Sequence, residues 1–406
     1  MNIDLIRFVD KWPGSIICFF LDVFNRIFPD RTTAMPPYRK ILFIELSEMG
    51  SIILAYPAFK EILDSYDHPE FHMLTFKKNK PAAAMLGIFK HIHTIDDSSL
   101  PKFVSDCLRT IFKLPREHFD VVFEMELFSR FASILTYLSG KIRVGFYAYD
   151  MEGLYMGNLL THRVIYNPHI HMKDNFLSLV DALQLDTNDP PLSKKHIREI
   201  SRELPVWRID EAKCRALKQK LCHKSRTIFD AGSKLVLVKA SGGILPIRAW
   251  PVHRYKELIT RLLRHSEIHV LLIGTGDECL VNDDIKGSIQ NDRCINLTNA
   301  TSLDDVLNLM HISHLLISND GGPAHFASMT GIRTMVFYGP ETPALYGPLG
   351  NNCTVLYSRY SCSPCLSAYN HRKSSCKNNL CLQSIETGYV YDMALKILFG
   401  SRTSAV

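Results

Sequence analysis

The stretch Ile317-Ser-Asn-Asp-Gly-Gly-Pro-Ala-His-Phe-Ala-Ser-Met-Thr-Gly331 decides how this 406-residue chain is read. An apolar run at 314–317 has the pattern of a strand and ends in Ser318, Asn319 and Asp320. Gly321 and Gly322 follow, and a helix-compatible segment opens at Pro323. Proline suits the first helical turn, where a missing N–H costs nothing. Glycines let backbone N–H groups come close to a ligand. A helix N-terminus fed by such a turn is a ready anion site. Asp320 and His325 flank it with a carboxylate and an imidazole. A diphosphate cradle at the carboxyl end of a parallel strand is the expectation. The plainer alternative is an ordinary strand-to-helix turn with Asp320 as N-cap.

Working outward, strands alternate with helices on both sides of this segment. Residues 235–238, 269–273, 294–297 and 334–337 read as strands, and 252–265, 303–310 and 386–399 as helices. Upstream, 41–46, 71–76, 93–95, 121–123 and 144–146 read as strands, and 51–63 as a helix. Such alternation predicts parallel sheets with helices on both faces. The polar, proline-rich stretch 187–193 begins an interdomain connection. The expected fold class is α/β, with two Rossmann-like doubly wound domains facing a central cleft. The expected bounds are an apolar extension over 1–35, domains over 36–205 and 206–385, and a C-terminal helix over 386–406.

Composition sets the outer limits. The chain is 46% hydrophobic and 22% charged, as soluble globular proteins are, and long enough for two cores. A formal net charge of +6 is too weak to argue for nucleic acid. It suits work beside anionic headgroups or on a negatively charged substrate. Eleven cysteines and no visible secretory signal predict reduced thiols and a cytoplasmic location. Residues 14–28 are rich in large apolar groups, but Asp22, Asn25 and Arg26 interrupt them. They are too short to span a bilayer. An amphipathic helix on a membrane surface and a helix packed on the body both remain, with Asp4, Asp10 and Asp22 favouring packing. Pro36-Pro37 marks a linker to the first folded unit.

Ligands of doubly wound sheets sit beyond the carboxyl ends of the strands, which ranks the loops. Lys239-Ala-Ser-Gly-Gly-Ile-Leu-Pro-Ile-Arg-Ala-Trp-Pro251 offers hydroxyl and backbone donors at Ser241, Gly242 and Gly243. Arg248 adds a guanidinium, which matches phosphate; a solvated surface arginine is the alternative. Gly274-Thr-Gly-Asp-Glu278 is not the dinucleotide fingerprint, so no nicotinamide site is assigned. Glu278 or Asp277 there suits ribose hydroxyls. Asn299-Ala-Thr-Ser302 suits a base edge. In the first domain, Ser47-Glu-Met-Gly-Ser51 follows the first strand. Gly50 permits a tight turn, and Glu48 is either a general base or a capping or exposed glutamate. Cys362, Cys365, Cys376 and Cys381 have the spacing C-x2-C-x10-C-x4-C, which raises structural zinc against four reduced thiols. His91, His93, His169 and His171 are read as ordinary histidines.

Together these stretches resemble glycosyltransferase family 9, the ADP-heptose:lipopolysaccharide heptosyltransferases and their relatives. The likeness is carried by Lys40-Ile-Leu-Phe-Ile-Glu-Leu-Ser-Glu-Met-Gly-Ser-Ile-Ile-Leu-Ala-Tyr-Pro57 and Leu245-Pro-Ile-Arg-Ala-Trp-Pro251. Ser318-Asn-Asp-Gly-Gly-Pro-Ala-His325 and Val336-Phe-Tyr-Gly-Pro-Glu-Thr-Pro343 complete it. It runs from about Lys40 to the end and implies a GT-B fold. It also implies a nucleotide diphosphate sugar donor in the second domain, a glycolipid acceptor in the first, no cofactor and no catalytic metal. By that resemblance Asp320, Gly321, Gly322, Pro323 and His325 surround the donor diphosphate and sugar. Arg248 stands at a phosphate-binding position, Glu278 at a ribose-binding acid and Thr301 near the base. Many members carry aspartate where this chain has Ser51, and a serine cannot take a proton unaided at neutral pH. Glu48 is the nearest substitute. The implied activity is an inverting, metal-independent transfer to a lipopolysaccharide core or related glycolipid. Peripheral contact with the inner face of the cytoplasmic membrane would go with such an acceptor. The rivals are a non-catalytic nucleotide-sugar or glycolipid binder of the same fold and, more remotely, a nucleotide-sugar epimerase.

Overall fold

Runs such as Lys40-Ile-Leu-Phe-Ile44 and Lys234-Leu-Val-Leu-Val-Lys239 are apolar at nearly every position. That suits strands covered on both faces of a parallel sheet. The computed structural model folds them so. It describes residues 3–28, 37–149, 153–192, 194–197, 204, 206–225, 228–243 and 245–400. The chain divides into two compact units, Met1–Glu203 and Leu204–Val406.

The first unit opens with α1 (Ile3–Ile27), then β1 (Lys40–Ile44), α2 (Met49–Leu54), α3 (Tyr56–Ser65), β2 (Glu70–Phe76) and α4 (Lys80–Met85). It continues through β3 (His91–Ile95), α5 (Leu100–Lys113), β4 (Phe119–Glu124) and α6 (Arg130–Ser139). β5 (Gly140–Tyr147), β6 (His162–Ile165) and α7 (Met172–Ala182) close it. Its six strands are all parallel in the order β3-β2-β1-β4-β5-β6. The chain moves outward from β1 to β3, then returns to β4 and moves the other way. Right-handed crossovers therefore put α2, α3 and α4 on one side of the sheet and α5 and α6 on the other. α1 lies on α6, and α6 touches α5. Phe43 sits at the centre, stacked on Phe123 at 5.2 Å and edge-on to Phe59 at 4.8 Å.

The second unit runs α8 (Glu211–Lys224), β7 (Lys234–Lys239), α9 (Val252–Leu262), β8 (Ile268–Leu272) and α10 (Cys279–Ser288). Next come β9 (Cys294–Asn296), α11 (Leu303–Ile312), β10 (Leu315–Asn319), α12 (Gly322–Ala327) and β11 (Arg333–Tyr338). α13 (Pro343–Tyr346), β12 (Cys353–Tyr357), α14 (Leu380–Gln383) and α15 (Thr387–Phe399) finish it. The strand order is β12-β11-β10-β7-β8-β9, again all parallel. Trp250 is wholly buried, stacked on Phe337 at 4.5 Å. Burying a side chain of that size contributes roughly 2–3 kcal/mol.

One expectation is revised. The helix expected over 51–63 begins at Met49 and is broken at Ala55 into α2 and α3, because Pro57 occupies the first turn of α3. The last helix sends Val390, Ala394 and Leu398 into the second unit's core beside Leu258 and Leu262. In the N-terminal extension α1 packs on α6 within the first unit, the use that its aspartates favoured. Pro36 and Ser193, in the expected linkers, lie outside the described residues. No described helix is long and apolar enough to cross a membrane.

Candidate functional site

In the second sheet the chain reverses direction between β7 and β10, so their carboxyl ends mark the switch point where ligands of this architecture bind. Two loops leave the sheet there. Asn319, the last residue of β10, ties them together. Its Oδ1 accepts from the Trp250 backbone N at 2.8 Å and from the Tyr255 hydroxyl at 3.0 Å. Its Nδ2 donates to the Ala240 carbonyl at 2.9 Å. Trp250 Nε1 donates to the Ile385 carbonyl at 3.0 Å and anchors the far end of the 240–251 loop. Gly242 is required within it: a Cβ there would lie 2.7 Å from the Leu245 carbonyl oxygen.

The anchored loop carries Arg248 to the β10 turn. Its Nη1 lies 3.3 Å from Asp320 Oδ2, and both side chains are largely buried. Arg248 is therefore no solvated surface arginine, and Asp320 is no helix cap. The N-cap of α12 is Gly321. Burial pushes the Asp320 carboxyl up, and the neighbouring Arg248 charge offsets part of that. The guanidinium Nε is buried with no hydrogen-bond partner among the described residues. Asp320 thus fixes the guanidinium while leaving a donor edge for an anion. Pro323 stands in the first turn of α12 and His325 is buried within it. α12 spans only six residues, so its dipole is short, and Arg248 brings a full positive charge to its N-terminal turn.

Glu341 was not singled out from sequence, although it lies in the Gly-Pro-Glu-Thr-Pro segment after β11. It is 2% exposed, and burial first, then the Asp320 charge, pushes its carboxyl up to about 8. Arg372 Nε lies 3.7 Å from Glu341 Oε1, so two buried carboxyls and two guanidinium groups meet beyond β10 and β11.

Glu278 and Thr301 belong to the loops beyond β8 and β9. Glu278 is buried and ion-paired with Lys239 at the end of β7, and it accepts from the Thr275 backbone N at 2.7 Å. Burial opposes its ionisation, but Lys239, Thr275 and Ser241 outweigh that and hold its pKa below the usual value. Burial lowers the Lys239 pKa, with Glu278 opposing the shift. Gly274 makes room for the fold-back: a Cβ there would meet Glu278 Oε2 at 2.7 Å. Lys239 was missed because a lysine ending a strand reads as a solvated terminus. Ser241 Oγ accepts from the Gly243 N at 3.0 Å, holding the turn. Thr301 precedes the Ser302–Asp305 capping box of α11. Its loop is drawn to the β8 loop where Asn299 N donates to the Gly274 carbonyl at 2.9 Å.

The first sheet has its own switch point between β1 and β4. Glu48 is the N-cap residue of α2, partly exposed and making no side-chain cap. Gly50 is helical rather than a turn with positive φ, and Ser51 is 7% exposed. The loop is held instead by Glu126, whose Oε1 accepts from Leu46 N at 2.7 Å and from Ser47 N and Oγ at 2.6 Å. No pattern in the sequence marked Glu126.

Two groups bear on metals. The four tail cysteines are neighbours, for burial and then Cys365, Cys362 and Cys376 raise the Cys381 thiol. Among the described residues no three of these sulfurs come within shared-ligand spacing, whereas atoms of Glu70, His72 and His91 do. That trio lies near the amino ends of β2 and β3, away from the ligand rim. His72 is bonded to Glu70 at 2.7 Å and to His93 at 3.0 Å, and Lys90 also pairs with Glu70.

Comparison with known proteins gives a consistent picture. A family model described as glycosyltransferase family 9 (heptosyltransferase) matches residues 107–378, more than half of the chain. The chain is 25% identical to lipooligosaccharide heptosyltransferase 2 of Haemophilus influenzae over 114 residues, 27% of this chain and 33% of that protein. It is 21% identical to a Campylobacter jejuni protein of the same name over 184 residues, 45% of this chain and 56% of that one. The matches thus span between a third and just over half of these relatives' length. The solved ADP-heptose lps heptosyltransferase II of E. coli is similar in fold, with a TM-score of 0.66 and 16% identity over 88% of this chain and 98% of that one. The two doubly wound sheets make this a GT-B fold.

Proposed function

The chain belongs to glycosyltransferase family 9, the heptosyltransferase family, and from that premise we propose that it is an inverting glycosyltransferase. It moves a sugar, heptose foremost, from a nucleoside diphosphate donor to a hydroxyl of a lipopolysaccharide core or related glycolipid. The observation that carries this is the Arg248 guanidinium, held 3.3 Å from Asp320 beside the Gly321-Gly322 turn at the β7/β10 switch point. In this mechanism the bond between the anomeric carbon and the diphosphate oxygen breaks, and its electron pair leaves with the diphosphate. Arg248 and the backbone amides around Gly322 stabilise that developing charge. The acceptor oxygen bonds to the anomeric carbon from the opposite face, and its proton passes to Glu48. Buried Ser51 is unsuited to that task, and partly exposed Glu48 is the accessible carboxylate of its loop.

A chain that binds donor without turning it over is the second reading, favoured by one fact: the position where many members carry the base is a buried serine. Glu48→Gln separates the two. Under the transferase reading it keeps donor affinity and loses turnover by roughly 10²–10⁴-fold. Undiminished turnover would remove Glu48 from the role. Failure of the wild type to transfer from any donor to a lipid-linked acceptor, with donor binding intact, would favour the binder.

A further inference from the structure

α1 is built inside out. The edge that packs on the first unit is its small and polar one: Asp10, Gly14, Cys18 and Asp22, at spacings of four. Asp10 Oδ1 accepts from the Phe131 N at 2.9 Å, at the start of α6, and from the Ser129 hydroxyl at 3.1 Å. Its other oxygen lies 3.6 Å from the buried Arg130. A Cβ on Gly14 would come within 3.0 Å of Arg130 Cβ, and one on Gly157 within 2.9 Å of the Cys18 carbonyl. Asp22 is buried and pairs with Arg26 at 3.0 Å. Small residues at these positions let the backbones approach closely.

The opposite face is large, apolar and bare. Phe8, Trp12, Ile16, Phe20, Phe24 and Ile27 recur every three or four residues and are each more than half exposed. On the same side of the sheet, across α6, α5 shows a second stripe. Leu100, Val104, Leu108 and Phe112 are exposed there. Lone exposed apolar residues are normal, whereas two stripes on helices of one side of the sheet mark a contact surface.

Charge selects the occupant. Asp10 and Asp22 on α1 turn inward, Asp22 neutralising Arg26, whereas Lys11 is exposed. On α5 Lys102 and Lys113 are exposed beside the stripe, as is Arg109, which Asp106 meets at 3.5 Å. A second copy of this chain would bring cations against cations. An anionic bilayer surface offers them partners and takes the aromatic face into the acyl boundary. We infer that the α1–α5 face seats the first unit on an anionic lipid bilayer, with α1 lying in the plane of the interface. This rests on α1 and α5 alone and would hold for a chain that transferred no sugar.

The test is co-sedimentation of the full chain with phosphatidylglycerol/phosphatidylethanolamine vesicles and with neutral phosphatidylcholine vesicles. Light scattering gives the oligomeric state, and a melting curve checks folding. The double variant Phe20→Glu/Phe24→Glu changes side chains that are exposed, so the fold stays intact. Wild type is expected to pellet with the anionic vesicles and much less with the neutral ones. The variant should bind anionic vesicles at least about tenfold more weakly at unchanged melting temperature. Wild type remaining in the supernatant, or a variant that binds as well as wild type, overturns the inference. So does a dimer that the substitutions split while neither form binds vesicles.

Discussion

In the proposed transfer Arg248 and Glu48 are the two side chains on which the chemistry turns, and their surroundings make different demands. Arg248 is a buried cation whose charge is met by Asp320 at 3.3 Å, so its orientation is set before any ligand arrives. Arg248→Ala should lower affinity for a nucleoside diphosphate sugar by roughly 10- to 100-fold, about 1.5–3 kcal/mol, read by titration calorimetry. Arg248→Lys should fall between the two, because an ammonium keeps the charge and loses the planar fork. Equal affinities for all three would remove the guanidinium from the site. Glu48 sits in a loop that Glu126 holds. Glu126→Gln should therefore lower turnover by loosening the Leu46–Ser47 backbone. It should leave the acidic limb of the kcat profile where it was, because the proposed mechanism gives the base role to Glu48. A shifted limb in Glu126→Gln would transfer the base role to Glu126.

Among the elements, the 240–251 loop is the one whose conformation is most tightly prescribed. Gly242→Ala puts a methyl 2.7 Å from the Leu245 carbonyl and 3.0 Å from the Ala249 nitrogen. It should cost about 1–3 kcal/mol in denaturant unfolding and weaken donor binding together. Unaltered stability would mean the loop relaxes freely and does not position Arg248. Most strands were legible in the sequence because they are buried on both faces and read as unbroken apolar runs, as at 41–44 and 235–238. β6 was not: His162-Arg-Val-Ile165 is a short edge strand with one buried residue, and no apolar run announces it. α1 was legible only in part. Its aspartates were taken as a sign of packing, and Asp10 and Asp22 do pack. The apolar face opposite them does not, so two uses that looked exclusive occupy two sides of one helix. The tail cysteines illustrate the limit: their spacing is in the sequence, but where their sulfurs lie depends on the tail's tertiary path.

At the scale of the whole molecule, each unit hides a carboxylic acid. Glu124, at the end of β4, is fully buried, and its carboxyl is pushed up to about 8 by burial. Glu341 reaches the same value in the second unit. The unfolded chain releases these protons near 4.5, so between 4.5 and about 8 the native state binds protons that the unfolded state has lost. Stability from these groups is therefore full below 4.5 and is lost as pH rises towards 8, at roughly 1.4 kcal/mol per pH unit for each. Glu124→Gln should leave the melting temperature near the wild-type value at pH 5 and raise it at pH 8. An equal change at both would mean the carboxyl is ionised in the native state. Catalysis needs more than stable halves. The most direct measurement is transfer from a panel of nucleoside diphosphate sugars, ADP-heptose among them, to a lipid-linked core acceptor, with donor binding measured in parallel for wild type, Arg248→Ala and Glu48→Gln. The expected result is transfer by wild type, donor binding weakened roughly 10- to 100-fold in Arg248→Ala, and retained binding with lost transfer in Glu48→Gln. Donor binding that survives Arg248→Ala unchanged would contradict the diphosphate site at the β7/β10 switch point.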